Sequence, residues 1–492
     1  MHEEEHGDRL ALHTDKYQLN MALCYWRDNM HRRRAVFEVF FRKLPFGNGY
    51  AVFAGLEKVI RYLKNLRFTA SDLAYLREEG YPEDFLKYLE TFRFTGTVRA
   101  MREGELVFPN EAMLRIEAPI LEAQLIETAI LNIVNYQTLI ATKASRIKQI
   151  VGDDLTLEFG TRRAQETEAA LWGARAAYIA GFDATSNVRA GKLFGIPTAG
   201  TLAHSMVQAY GDEYTAFRKY AETHRNCVFL VDTYDTLRSG VPTAIRVARE
   251  MGDRINFLGI RLDSGDLAYL SKEARKMLDD AGFYRAKIYA SNDLDETTIL
   301  NLKAQGARID AWGIGTKLIT GYDQPALGAV YKLVAMEDER GNLTDMIKIS
   351  ENPEKVTTPG LKRVYRIVSR RTGKAEGDYI ALEHERPDRE PRLKMFHPVH
   401  TFIAKNVTDF EARDLHVTIF KNGELVYEPP PPEEIRAFVR KNLELLWDEY
   451  KRNLNPAEYP VDLSQACWDN KMRLIAEMRN RIAGGGEGEL GK

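Results

Sequence analysis

Phe257-Leu258-Gly259-Ile260-Arg261-Leu262-Asp263-Ser264-Gly265-Asp266 is the stretch that decides the fold. A short apolar run, the length of one strand, stops abruptly on charged, small and hydroxyl residues. Gly200-Thr201-Leu202-Ala203-His204-Ser205 closes another such run. Four similar junctions accompany them: Glu158-Phe159-Gly160-Thr161-Arg162-Arg163, Val231-Asp232-Thr233, Ser291-Asn292-Asp293 and Gly313-Ile314-Gly315-Thr316. The spacing between junctions suits a strand, a loop and a helix, the unit of a parallel sheet. The runs Leu155–Phe159, Ile196–Gly200, Val228–Val231, Phe257–Leu262, Lys287–Ala290 and Ala311–Gly315 are almost continuously apolar, as strands covered on both faces are. Polar strand ends in succession predict an irregular parallel α/β barrel with its site at the C-terminal ends of the strands.

Working outward, the expected barrel domain spans residues 121–342. An N-terminal α+β domain, 1–120, precedes it and a C-terminal region, 343–492, packs on that domain. Residues 1–8 and the tail Gly484-Gly485-Gly486-Glu487-Gly488 are expected to be disordered. Asp266 is placed to cap a helix beginning at Leu267.

Composition narrows the function. Lysine and arginine number 69 against 71 acidic residues, a net charge of -2, so no basic excess remains to neutralise a nucleic acid. The hydrophobic fraction of 44% is that of an ordinary globular protein, and no apolar run is long enough for a membrane span. Cys24, Cys227 and Cys467 are odd in number and far apart, which fits a reducing cytosol and neither a disulfide framework nor a zinc knuckle. No metal ligands are assigned, and the expected location is cytoplasmic.

A lone histidine is more often a core or capping residue than a catalytic one. His204 stands out because Gly200, Thr201 and Ser205 flank it after an apolar run, where a histidine can accept a phosphoryl group or act as a base. Asp266 accounts for helix capping, which leaves Asp263 open to a ribose or Mg2+ role. Gly315 and Thr316 resemble a late-strand phosphate cradle. Arg162, Arg163 and Arg261 on neighbouring strand ends would repel one another without an anion between them. The residues alone therefore point to a barrel enzyme acting on anionic, phosphorylated small molecules.

These segments, together with Thr14-Asp15-Lys16-Tyr17-Gln18-Leu19 and Lys348–Gly360, resemble the nicotinate phosphoribosyltransferase family over nearly the whole chain. The resemblance implies the type II phosphoribosyltransferase fold and a homodimer with shared active sites. It implies a reaction of nicotinate with 5-phosphoribosyl 1-diphosphate (PRPP), giving nicotinate mononucleotide and diphosphate. ATP as co-substrate would be coupled through a phosphohistidine at His204, with Mg2+ as cofactor. By the same resemblance, Tyr17, Thr201 and Arg261 bind nicotinate and Thr316 binds PRPP, while Phe159 and Arg162 line the base pocket. Ser186 would stand where a nicotinamide-using relative carries an aspartate, favouring the acid over the amide; Asp183, three residues earlier, is the competing position. A nicotinamide- or quinolinate-using relative and a nucleotide-binding homologue without turnover are the alternative readings. Cys467 has no companion cysteines, so no zinc is expected.

Overall fold

The computed structural model describes residues 10–352 and 355–485. The chain folds into two compact units. One comprises the chain up to Leu139, Ala326–Pro430 and the chain from Phe438 onward; the other comprises Ile140–Pro325 and Pro431–Ala437. The boundaries expected at 120 and 342 therefore fall inside the first unit. The helix Glu127–Val151 begins in that unit's core, where Ile130, Ile133 and Val134 are buried. The strand Val330–Glu337 pairs along Arg34–Phe40 of the same unit.

The second unit carries the parallel sheet. Its strands are β1 (Leu155–Glu158), β2 (Ala184–Thr185), β3 (Asn226–Leu230), β4 (Asn256–Leu262), β5 (Lys287–Ala290) and β6 (Ala311–Ile314), in the order β2-β1-β6-β5-β4-β3. All neighbours are parallel. The result is a six-stranded parallel half-barrel, which agrees with the expected parallel α/β barrel class, with one exchange in its strands. Ile196–Gly200 contributes only a bridge from Thr198 to Thr185, and the two-residue β2 takes its place in the sheet. Gly259 interrupts β4 for a steric reason: at φ +149° a Cβ there would sit 1.8 Å from the Lys287 carbonyl oxygen. Helices connect the strands, and Asp266 does cap Leu267–Asp280, accepting a hydrogen bond from the Tyr269 N–H at 3.0 Å.

The first unit is built on an antiparallel seven-stranded sheet and a smaller four-stranded one. Alternate residues of Arg34–Phe40 (Phe37, Val39) join Phe53, Phe85 and Ile116 in its main apolar core. Residues 1–8 and 486–488 of the expected disordered ends lie outside the described residues. Gly484 and Gly485 belong to the helix Gln465–Gly485. Among the described residues no helix is long and apolar enough to cross a membrane.

A buried charge network fastens the four-stranded sheet to the loop at Glu105. Arg366, fully buried, donates to both oxygens of Asp378 (2.9 and 2.7 Å), to Glu105 at 2.7 Å and to the Leu106 carbonyl at 2.8 Å. Burial, and then the charge of Asp378, holds the neighbouring Glu111 carboxyl well above the usual carboxylate range. Removing one partner of such a pair strands the others, at a cost of about 3–5 kcal/mol. Arg366→Ala should lower unfolding stability by roughly that amount in chemical denaturation. Arg366→Lys, lacking the planar fork, should recover little of it. A loss below about 1 kcal/mol for Arg366→Ala would mean the network is dispensable.

Candidate active site

The C-terminal ends of the strands converge on Arg261. Its Nη1 donates to Thr201 Oγ1 at 2.5 Å, its Nε to Ser291 Oγ at 3.1 Å, and its Nη2 lies 3.4 Å from Asp263 Oδ1. Ser291 Oγ in turn donates to Asp263 Oδ1. The ends of β4 and β5 and the segment before His204 are thereby held by one guanidinium. Burial alone would raise the Asp263 carboxyl, but the Ser291 hydroxyl, the charge of Arg261 and His204 outweigh it and hold it below the usual range. The anion that meets Arg261 in the chain itself is thus Asp263. Arg162 and Arg163 are exposed on the short turn Thr161–Arg163.

His204 is the first residue of the helix His204–Tyr210. Its Nδ1 lies 3.1 Å from Thr233 Oγ1. Nε2 is 3.7 Å from Asp263 Oδ2 and 4.0 Å from Asp232 Oδ1. The imidazole is 38% exposed, open enough for a reactant to approach. Asp232 carries no role that the sequence alone assigns, although Val231-Asp232-Thr233 marks its strand end. It is the group that shapes the loop: its Oδ2 accepts from the Asp263 N–H at 2.8 Å and from Ser264 Oγ at 2.6 Å. Its Oδ1 is buried with no hydrogen-bond partner. That oxygen and the Asp263 carboxylate are hard donors of the kind Mg2+ takes beside substrate phosphates. Among the described residues no group of three or more His, Cys, Asp or Glu could hold a metal by itself.

Phe159 follows β1, and the Arg261 guanidinium lies 6.0 Å from its ring centroid. Gly313 makes room for that ring: a Cβ there would stand 2.7 Å from Phe159 Cδ2. Glu158, fully buried, accepts from Thr185 Oγ1 and from the Gly160 N–H, which pins the turn after Phe159. Burial keeps the Glu158 carboxyl above its usual range against those two donors. Gly315 and Thr316 follow β6, with Thr316 opening a four-residue helix. Tyr17 lies in the first unit, 50% exposed on the helix Lys16–Arg27.

Register separates Ser186 from Asp183. The Ser186 N–H donates to the Glu158 carbonyl at the C-terminal end of β1, at 2.9 Å. Asp183 is bonded at the other end, to the Thr156 N–H at 2.8 Å, Lys148 Nζ at 3.2 Å and Arg436 Nη2 at 2.5 Å. Ser186 therefore stands at the strand ends that carry the site, and Asp183 is consumed by structural pairing.

Nearly the whole chain has counterparts among known proteins. Residues 12–135 match the nicotinate phosphoribosyltransferase (NAPRTase) N-terminal domain, 155–369 the nicotinate phosphoribosyltransferase (NAPRTase) family and 361–471 the nicotinate phosphoribosyltransferase C-terminal domain. The chain belongs to the nicotinate phosphoribosyltransferase family. Nicotinate phosphoribosyltransferase of Bacillus subtilis (strain 168) is 68% identical over 476 residues, 96% of this chain and 97% of that protein. The crystal structure of human nicotinic acid phosphoribosyltransferase superposes with a TM-score of 0.83 at 31% identity, covering 94% of this chain and 99% of that one. A nicotinate-nucleotide pyrophosphorylase structure from Pyrococcus furiosus, 24% identical, shares the fold with a TM-score of 0.68 over 89% of this chain and 96% of that one.

Ser291 is the hinge of the Arg261–Asp263 arrangement. Its hydroxyl favours the ionised form of Asp263, so its loss favours protonation. Ser291→Ala should therefore move the Asp263 titration upward, followed by carbon NMR of the carboxyl group. An unchanged titration would show that Arg261 and His204 alone set the state of Asp263.

Proposed function

We propose that this protein is a cytosolic nicotinate phosphoribosyltransferase that joins nicotinate to PRPP, releasing diphosphate, and couples the reaction to ATP hydrolysis through His204. The observation that carries the reading is Arg261. Its bonds within the chain occupy Nε and one hydrogen on each terminal nitrogen. The second hydrogens of Nη1 and Nη2 remain for a carboxylate, beside an aromatic face at Phe159. An aromatic acid satisfies both, whereas an amide would present one of its own N–H groups to the guanidinium. Ser186 in place of a carboxylate at the neighbouring strand end supports the same choice.

In the proposed reaction the nicotinate ring nitrogen attacks the anomeric carbon of PRPP. The new C–N bond forms as the C–O bond to diphosphate breaks. Little proton transfer is needed, so positioning and electrostatics carry the rate. Asp263 Oδ2, left over from the contacts to Ser291 and Arg261, is suited to hold a ribose hydroxyl and to offset positive charge developing on the sugar. Thr316 and Gly315 are assigned to PRPP, with Arg162 near the base. Mg2+, when bound, supplies charge neutralisation for the leaving diphosphate. Phe159 provides one face of the nicotinate site, and Tyr17 of the partner subunit the other, in a homodimer with shared sites.

For the ATP step, a proton on Nδ1 donated to Thr233 leaves the Nε2 lone pair of His204 as the nucleophile. Nε2 attacks the γ-phosphorus, a P–N bond forms, and the P–O bond to ADP breaks. The phosphohistidine brings roughly two negative charges to the strand ends. Hydrolysis of that bond after product formation draws the overall equilibrium toward mononucleotide.

Incubation with γ-labelled ATP should place an acid-labile phosphate on the wild-type protein and none on His204→Ala. The variant should lose nicotinate-stimulated ATP hydrolysis while keeping slow, ATP-independent mononucleotide synthesis. Equal labelling of the variant would place the phosphoryl group on another residue.

A further inference from the structure

The first unit contains an open cavity of about 730 Å³, lined by none of the strand-end residues described above. Its wall is formed largely by Phe40, Phe108, Ile380, Met395, Tyr459 and other apolar residues. That volume falls within the range of small-molecule sites.

Charged side chains also reach the wall, and most have partners. Lys362 pairs with Glu38 at 3.1 Å and donates to the Thr358 and Gly360 carbonyls at 2.7 and 2.8 Å. Lys405 pairs with Glu376 at 3.1 Å. Two charges do not. Asp462, only 4% exposed, makes no side-chain hydrogen bond or ion pair among the described residues. The ammonium of Lys471, partly buried on the helix Gln465–Gly485, has neither as well. Burial pushes the Asp462 carboxyl up to about 6, with Lys405 offsetting part of the rise. Burial, and then the nearby charge of Lys362, holds Lys471 below its ordinary value.

An unpaired charge in an apolar wall is costly, and two of opposite sign are matched at once by a ligand that carries both complements. Lys471 is six residues beyond Gln465. Asp462 lies on the strand Val461–Leu463, so the two charges reach the wall from different elements. We propose that this cavity is a second binding site, for a small zwitterion whose cationic nitrogen meets Asp462 and whose anionic group meets Lys471, with an apolar body between. The ligand class differs from the anionic substrates of the strand-end site, which suits an effector or a separately bound metabolite.

Calorimetric titration with 4-(aminomethyl)benzoate, benzylamine and benzoate tests this on the intact protein. The zwitterion should bind at least about tenfold more tightly than either half-molecule, the equivalent of one charge-assisted contact. Asp462→Asn should reduce the zwitterion to the affinity of benzoate, and Lys471→Met to that of benzylamine. Ile403→Trp, at a lining position 54% exposed, should block entry without disturbing the core. All three variants should retain transferase turnover. Absence of binding, no preference for the zwitterion in the wild type, or unchanged affinity in Ile403→Trp would each overturn the proposal. The wild-type comparison of the three probes decides the matter even where a variant fails to fold.

Discussion

A single guanidinium holds the site together. Arg261 leaves β4 and bonds Thr201, Ser291 and Asp263, residues 60, 30 and 2 positions away in sequence. A lysine in its place would present a point charge, unable to satisfy three partners in one plane. Because Ser291 follows β5 and Asp263 follows β4, this arrangement depends on the sheet beneath it. Parallel pairing of β5 with β4 sets the spacing that lets one side chain span their ends.

The loop after β4 shows how local backbone chemistry supports that arrangement. Asp232, at the end of the neighbouring β3, accepts the Asp263 N–H and the Ser264 hydroxyl and so fixes the direction of the Asp263 carboxylate. Asp266 then caps the following helix. Three carboxylates close in sequence or space do different work: one shapes the loop, one meets Arg261, Ser291 and His204, and one starts the helix. His204 sits between the first two, with Nδ1 steered by Thr233.

Much of this is legible in the sequence, for physical reasons. Strands covered on both faces are apolar throughout, so β1, β3, β4, β5 and β6 stand out, and their polar ends mark the site. β2 does not stand out, since two residues, Ala184-Thr185, carry no pattern, and the more apolar Ile196–Gly200 reads as the strand instead. Glu158 and Asp232 can be located but not given a role, because Glu158 is joined to Thr185, 27 residues away, and Asp232 to partners 31 or more residues away. The choice between Ser186 and Asp183 needs register, as a carboxylate's role depends on which end of the strand it occupies. Three arginines at neighbouring strand ends suggest an anion between them, and sequence does not show that Arg261 already meets Asp263 within the chain. The Arg366 network leaves no trace in sequence, since Glu105 and Arg366 are 261 residues apart.

The central claim is that Arg261 selects an aromatic carboxylate. Product analysis with nicotinate, nicotinamide and quinolinate, each with PRPP and Mg2+, with and without ATP, tests it directly when run on wild type and Arg261→Ala. The wild type should convert nicotinate far more efficiently than the other two, and ATP should stimulate that conversion. Arg261→Ala should lose about ten- to a hundredfold in kcat/KM for nicotinate, the worth of one charge-assisted pair. Its activity on nicotinamide should fall less, so that the preference for the acid shrinks. Equal losses on acid and amide, or wild-type preference for nicotinamide, would contradict the account.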